Sequence, residues 1–223
     1  MASRRLATAL CALLGMSCGG SPTSSSPTGL ALSGQVTSAL TSSPVTGATV
    51  AIGDGSNSGK SAITDGSGNY SFTGLERGGF TATISADGFV VQSQTISLTS
   101  NQTQPFRLTG IRNRVYNRAM GTLLARRGNG HSFTTTRLGR LEIESSWNNA
   151  SNLVRLEFAL ETNCGAPQYT SGTCTFLYAD RSPVSVARRT ALIDSQAPGN
   201  YIVWLTNQGS VDETYTLEVY LTP

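Results

Sequence analysis

The stretch Thr64–Leu75, TDGSGNYSFTGL, decides the fold of the first half of the chain. Gly66 and Gly68 favour a tight turn because glycine adopts positive φ angles, and Asp65 can hydrogen-bond its own turn backbone. Tyr70 and Phe72 follow two residues apart, which is the period of a strand with one buried face. The stretch therefore predicts a turn that leads into a half-buried β-strand.

The same period of two recurs on both sides of this stretch. Each run is short and is bounded by Gly, Asp, Asn or Pro, the residues that supply turns. About six or seven strands in roughly 80 residues predict a small antiparallel β-sandwich over residues 30–109. The other clear runs are Leu30–Val36, Thr49–Ile52, Phe80–Ile84 and Val90–Leu98.

Five blocks of this region occur in a familiar order: Gly34–Val36, Pro44–Val50, Thr64–Leu75, Gly79–Ile84 and Ala86–Phe89. Together they resemble the carboxypeptidase regulatory-like domain, a transthyretin-like sandwich. The resemblance implies a non-catalytic appendage. Some relatives belong to a carbohydrate-binding-like superfamily, but a shared fold is weak evidence for a shared ligand.

A second sandwich, jelly-roll-like, is predicted over residues 131–223. The fold class is thus all-β, with two antiparallel β-sandwich domains, the first transthyretin-like or Ig-like, after a signal peptide and a flexible linker. The predicted strands of the second sandwich are Ser132–Thr136, Gly139–Trp147, Leu153–Leu160, Thr173–Tyr178, Val184–Ile193, Tyr201–Thr206 and Thr214–Leu221.

Three segments of this second region, Gly139–Trp147, Pro198–Gly209 and Glu213–Val219, resemble the bacterial pre-peptidase C-terminal domain. The resemblance implies a secreted β-sandwich that assists targeting or polymer binding and does not itself cleave peptides. The acidic middle segment typical of that family is replaced here by a stretch that contains two cysteines.

The N-terminus predicts export, with residues 1–17 as a secretory signal peptide. Arg4 and Arg5 precede the apolar run Leu6–Leu14, which is too short to span a bilayer. Cys18 after the small Ser17 resembles the lipobox of bacterial lipoproteins, which implies a diacylated mature N-terminus. Gly15 stands where that family prefers Leu, and a plain signal peptide cut after Ser17 stays an alternative.

Residues 18–29 contain no apolar anchor and predict a flexible linker behind the lipidated Cys18. Gly19, in place of Asp, resembles sorting to the outer membrane. We therefore expect an exported protein that is lipid-anchored at the outer membrane or cell surface, with the membrane as a partner through Cys18.

Arginines are concentrated in and around residues 110–130, which we predict to be a basic connector. Without Arg4 and Arg5 the chain has 14 basic and 13 acidic residues, so a nucleic acid partner is not expected. The connector is either simply solvated or binds anions such as lipid phosphates or acidic polysaccharide. Its segment Met120–Leu124 fits a helix or a strand. The candidate anion-binding residues are Arg112, Arg114, Arg126 and Arg127.

Cys164 and Cys174 are the only cysteines after Cys18, and an oxidising compartment predicts a disulfide between them. The chain has no C-x-x-C motif and a single histidine, so neither a metal site nor a cofactor is predicted.

We predict no catalytic residue and no enzyme. His131, the only histidine, lies beside Ser132 in a Gly-rich stretch that indicates a solvated loop, and a hydrolytic triad needs a base that is positioned by a third group. Glu142 and Glu144 share one face of a strand, which leaves a glycosidase carboxylate pair open.

Two aromatic residues, Trp147 and Tyr169, are candidates for stacking on sugar rings. Trp204 is expected in the core, and Trp147 fits core and surface equally well. The predicted function is a non-catalytic cell-envelope lipoprotein that binds carbohydrate or an envelope polymer. The alternatives are a structural or assembly lipoprotein that contacts protein partners by strand pairing or loops, and an accessory subunit of a secreted peptidase.

Overall fold

A computed structural model describes residues 29–223, which form four antiparallel-rich β-sheets arranged as two sandwiches. The predicted signal peptide, Cys18 and the linker up to residue 28 lie outside the described residues. Neither of the two short helices among residues 29–223 is long and apolar enough to cross a membrane.

The first sandwich confirms the prediction from Thr64–Leu75. Asp65 Oδ1 accepts backbone hydrogen bonds from Ser67 at 2.9 Å and from Asn69 at 2.8 Å, and Tyr70 and Phe72 then point into the core. One sheet has the order β4-β1-β7, with β8 also paired to β1, and the other has the order β3-β2-β5-β6. The strands are β1 (Leu30–Ser38), β2 (Thr49–Ile52), β3 (Ser61–Ile63), β4 (Asn69–Leu75), β5 (Gly78–Ser85), β6 (Gln92–Leu98), β7 (Gln102–Thr103) and β8 (Phe106–Leu108).

The second sandwich packs the sheet β10-β15-β12-β13 against the sheet β14-β11-β16-β9. Phe133, Phe158 and Tyr201 stack in its core, with ring centroids 5.1–6.3 Å apart. The elements are β9 (Asn113–Leu123), β10 (Gly128–Thr135), β11 (Gly139–Trp147), β12 (Val154–Leu160), α1 (Glu161–Cys164), α2 (Ala166–Ser171), β13 (Tyr178–Asp180), β14 (Arg188–Gln196), β15 (Gly199–Asn207) and β16 (Glu213–Thr222).

The predicted connector over residues 110–130 is wrong, since most of it is strand. Residues 113–123 form β9, which pairs with β16 from Asn113↔Leu221 to Leu123↔Glu213. The register shifts twice along this pairing, so buried and exposed positions do not alternate regularly and the period of two is hidden. The second sandwich therefore begins at Asn113, and Met120–Leu123 is strand.

The stretch Thr173–Tyr178, predicted as a strand, is not strand until β13 begins at Tyr178, although Leu177 N donates to the carbonyl oxygen of Phe158 in β12 at 2.8 Å. Two short helices that the alternation did not predict precede this stretch, with Cys164 at the end of the first helix and Cys174 after the second. The predicted disulfide between Cys164 and Cys174 is formed.

The two sandwiches meet end to end through backbone and side-chain contacts. Gly88 O accepts from Ile111 N at 2.8 Å, which ties the segment between the two sandwiches back to the first one. Ser38 Oγ donates to the carbonyl oxygen of Pro223 at 3.2 Å. Arg137 adds an ion pair with Asp87 across the same junction.

Candidate binding site beside the disulfide cap

The candidate site lies on the outer face of the sheet β10-β15-β12-β13. Residues 161–176, here called the cap, cover part of this face through a small apolar cluster that is separate from the sandwich core. Trp204 of β15 points outward into this cluster, and its indole Nε1 donates to the carbonyl oxygen of Cys164 at 2.9 Å. Trp204 is thus buried as predicted, but beneath the cap and outside the main core.

Tyr169 of the cap is held in one orientation. Its ring stacks on Trp204 with centroids 3.8 Å apart and planes 7° apart, and its hydroxyl is hydrogen-bonded to Thr206. A Cβ atom at Gly128 would lie 2.9 Å from the Tyr169 ring, so the close approach of cap and strand requires glycine there. Burial raises the pKa of the Tyr169 phenol, which stays protonated as a hydrogen-bonding group.

A concavity of about 200 Å³ opens beside Tyr169, here called the cap pocket. Glu157 lines it, and the carboxylate side chain is only 7% exposed. Its Oε1 accepts from Arg181 Nε at 3.2 Å, and the Arg181 guanidinium lies 5.6 Å from the centroid of the Phe176 ring. The pocket therefore combines aromatic faces, an acceptor and a donor. Its lining residues are Glu157, Tyr169, Gly172, Cys174, Phe176 and Arg181.

The segment that carries Arg181 is fixed from below by Arg189, which is 8% exposed. The Arg189 guanidinium donates to Val154 O at 2.7 Å, to Asp180 Oδ2 at 2.5 Å and to Val184 O at 2.9 Å. Because the buried guanidinium of Arg189 bonds to several acceptors at once, it fixes the loop in one position. Arg181, on the same loop, is thereby held in place to contact a ligand. Neither Arg189 nor Glu157 was predicted from the sequence, where both look like ordinary strand residues.

On the other side of the cap lies a wider groove of about 580 Å³, between the cap and β10. Ser132 Oγ donates to Glu161 Oε1 across it at 2.5 Å, and Arg118 stands exposed at its rim. The groove is open and polar, and it has Trp204 and Ile202 on its floor.

His131 is not the solvated loop residue that the sequence indicated. It lies on β10, where its Nδ1 is 2.8 Å from the Tyr116 hydroxyl and its Nε2 is 2.8 Å from the Tyr215 hydroxyl. Burial, with a smaller effect of the positive charge of Arg118, lowers the pKa of His131 to about 4. The neutral ring therefore accepts from one tyrosine and donates to the other, bridging the two sheets.

Trp147 does not present a stacking face to solvent. It is 5% exposed and packs in the core of the second sandwich, on the inward side of β11 together with Leu141 and Ile143. Its inward position follows from the strict alternation along Gly139–Trp147, a signal already present in the sequence. Of the two candidate aromatics, Tyr169 alone lines a concavity.

The four candidate arginines do not form one strip. Arg112 is paired with Glu142 at 2.6 Å and Glu144 at 2.8 Å, and it covers the Tyr220 ring; Arg114 is paired with Glu218 at 2.8 Å. Arg126 and Arg127 are exposed in the turn between β9 and β10, and no ion pair involves them among residues 29–223. Of the four candidates, Arg126 and Arg127 alone are without a carboxylate partner among the described residues, and Arg118 is exposed nearby.

The Glu142–Glu144 pair is also neutralised by arginines. Glu144 accepts from Arg112 and from Arg188, each at 2.8 Å. The hydrogen bond from Arg112 lowers the pKa of Glu142, whereas a glycosidase acid has a raised pKa. Within the described part of the chain, no three His, Cys, Asp or Glu side chains are grouped so as to hold a metal ion.

Comparison with protein families identifies the first sandwich. Residues 31–109 match the family described as the carboxypeptidase regulatory-like domain. No curated protein matches the chain.

Among solved structures, a type II cohesin–X-dockerin complex of Acetivibrio cellulolyticus is similar at 19% identity and a TM-score of 0.32, covering 37% of this chain and 58% of that one. The pre-peptidase C-terminal domain of collagenase from Bacillus anthracis matches at 13% identity and a TM-score of 0.34, over 47% and 88% of the two chains. A DUF3823 family protein from Parabacteroides merdae matches at 18% identity and a TM-score of 0.30, covering 86% of this chain and 98% of that one. The chain spans only 58% and 53% of the first two structures it matches, both cohesin complexes.

Proposed function

We propose that the chain is a non-catalytic binding module of the cell envelope that holds a carbohydrate or envelope polymer in the cap pocket. The observation that carries the proposal is the placement of Glu157, Arg181 and the Tyr169 ring around one concavity. A sugar ring has apolar C–H faces that stack on aromatic rings and hydroxyls that pair with charged side chains. A pocket with few, convergent polar groups on an aromatic wall suits it.

The pocket is also pre-organised, which favours binding. Tyr169 is stacked on Trp204, Arg181 is carried by the loop that Arg189 fixes, and the cystine closes the cap. Ordering side chains at an interface costs roughly 0.5–1.5 kcal/mol each, so residues that are already fixed leave more of the interaction energy for the ligand.

The proposal includes a location at the cell envelope. The signal peptide, the lipobox-like Cys18 and the polar linker support an exported protein anchored by lipid at the outer membrane or cell surface. In this arrangement the carboxypeptidase regulatory-like module is a spacer that carries the second sandwich away from its anchor.

The test is retention of the exported chain, with Cys18→Ser to keep it soluble, on insoluble polysaccharides, peptidoglycan and lipopolysaccharide at low and high salt. We expect retention on one polymer that resists high salt and falls at least about tenfold in Glu157→Gln, because one lost charged hydrogen bond corresponds to about 1.5–3 kcal/mol. The matched control is Glu142→Gln, a strand glutamate of the other sheet that is also paired with an arginine.

Two results would contradict the proposal. Retention on none of the polymers would remove the carbohydrate function. Retention that disappears at high salt and in Arg126→Gln with Arg127→Gln, but persists in Glu157→Gln, would assign binding to the turn between β9 and β10 instead.

A further inference from the structure

The first sandwich has an unprotected edge. β6 is the last strand of the sheet β3-β2-β5-β6, and among residues 29–223 it pairs only with β5, in unbroken register from Gly78↔Leu98 to Ile84↔Gln92. No charged residue and no proline occurs from residue 88 to residue 104. Natural edge strands are usually protected from pairing with another chain by charges, proline, bulges or a covering segment, and β6 has none of the first three.

The other strand edges of the described chain are guarded. β9 carries Arg114 and Arg118, and β14 carries Arg188, Arg189 and Asp194. The carbonyl oxygen of Gly74 in β4 is occupied by Lys60 Nζ at 2.8 Å. β10 is joined to β9 by the bond from Asn129 to the carbonyl oxygen of Thr122 and by the His131 bridge, and β3 and β13 are each three residues long. β6 is thus the long edge among them that is left without protection.

The strands of the sheet that contains β6 are also free of charged residues. Its four-stranded sheet contains no Asp, Glu, Lys or Arg in any strand. Hydroxyl side chains occupy its outer face, where Thr83 Oγ1 and Ser93 Oγ are 3.1 Å apart across the strands. Val90 and Val91, immediately before β6, are 51% and 59% exposed. An approaching strand meets no charge that would repel it and none that would select a charged partner.

We propose that β6 pairs with β6 of a second copy of this chain, antiparallel and centred on Thr95, so that the two sheets become one of eight strands. A two-fold interface must be self-complementary, and the edge of β6 meets this condition when it is paired about Thr95. Thr95 then faces its own copy, Ser93 faces Ser97, and the half-buried Gln94 and Gln92 face Ile96 and Leu98, so each pair stays on one face of the sheet. The inference is independent of the cap pocket.

The first test is the mass in solution of the exported chain with Cys18→Ser, by size-exclusion chromatography with light scattering at low and high concentration. We expect a dimer at high concentration, and a monomer for Thr95→Lys, which puts two like charges opposite each other at the axis. Ser61→Lys, at the opposite edge of the same sheet, is the matched control and keeps the dimer.

The second test does not depend on how well the lysine variant folds. Thr95→Cys should form an intermolecular disulfide under mild oxidation, because facing Cα atoms of antiparallel strands are about 4.5–5.5 Å apart, within disulfide reach. Ser61→Cys should not. A wild-type monomer at high concentration overturns the proposal, and so does a dimer that Thr95→Lys leaves intact and Thr95→Cys fails to cross-link.

Discussion

At the scale of single residues, the second sandwich depends on polar side chains buried in specific networks. Asn152, 5% exposed, donates to Asn207 Oδ1 at 3.0 Å and to Glu213 Oε1 at 2.7 Å, and all three side chains are buried. Because a buried polar group costs free energy unless it is paired, the network stabilises its loops only while every member is in place. Small changes beside it should therefore have large effects.

Gly209→Ala tests this network. The added Cβ would overlap the Asn152 amide, so the amide must move and its bonds to Asn207 and Glu213 break. We expect the free energy of unfolding to fall by about 2–4 kcal/mol, measured by urea denaturation. Gly66→Ala, where a Cβ meets nothing within 4 Å, is the control and should change stability by less than about 1 kcal/mol. Equal effects at the two positions would refute the network as the cause.

His131 predicts a pH dependence. Its pKa is lowered from 6.5 to about 4 in the folded protein, first by burial and then by Arg118. Between these values the unfolded chain binds a proton that the folded chain does not, so stability falls as the pH drops from about 6.5 towards 4. We expect the melting temperature of wild type to fall more between pH 7 and pH 5 than that of His131→Gln, which has no titrating ring.

Because the same carboxylates titrate in wild type and in His131→Gln, their contribution to the pH dependence cancels when the two proteins are compared. The loss of the bridge lowers the melting temperature of His131→Gln at every pH, so the slope against pH is the relevant quantity. Parallel slopes would mean that the ring is not kept neutral by its position between Tyr116 and Tyr215.

At the scale of elements, sequence alternation predicted the strands whose two faces differ. Gly139–Trp147 was predicted with its observed bounds as β11, because every second residue is buried. β9 was missed since its bulges disturb the alternation, and α1 and α2 were missed because helices this short have too few residues to show a period.

The binding site was less predictable than the strands, for a physical reason. Tyr169 and the cysteines were recognised from composition and spacing, but Glu157 and Arg181 come together only through pairing of β12 with β13. His131 meets Tyr116 and Tyr215 across 15 and 84 residues of sequence. Contacts of this kind leave no local signal, whereas a turn or a disulfide does.

The cap should depend on its cystine. Cys164→Ala with Cys174→Ala removes the cross-link, which closes a loop with a sequence separation of 10 residues. We expect a loss of about 2–3 kcal/mol in the free energy of unfolding, from the greater freedom of the unfolded chain. The cap should also loosen over Trp204, and exposure of that indole to water should shift the tryptophan fluorescence of the folded protein to longer wavelength. Trp147 lies in the core and is unaffected, so the shift can be assigned to Trp204. Unchanged fluorescence would show that the apolar cluster alone holds the cap.

At the scale of the whole molecule, residues 29–223 contain two main cores, one in each sandwich, besides the small cluster under the cap, and no residue belongs to both main cores. The contacts between them include the bond from Ser38 to Pro223 and the ion pair of Arg137 with Asp87. Contacts of this size join domains without merging them. Each sandwich should accordingly fold by itself if it is cut at the right residue.

The position of β9 determines where that cut must fall. A fragment of residues 113–223 keeps β9 paired along β16, keeps Leu123 in the core and retains the Tyr116 hydroxyl on His131. A fragment of residues 131–223 loses that edge strand and part of β10, which exposes the backbone of β16 and the apolar side chains beneath. We expect the first fragment to melt cooperatively with dispersed amide NMR signals, and the second to be unfolded or aggregated. If the shorter fragment folded as well as the longer one, residues 113–130 would be the connector that their arginine content indicated, and β9 would be dispensable to the sandwich.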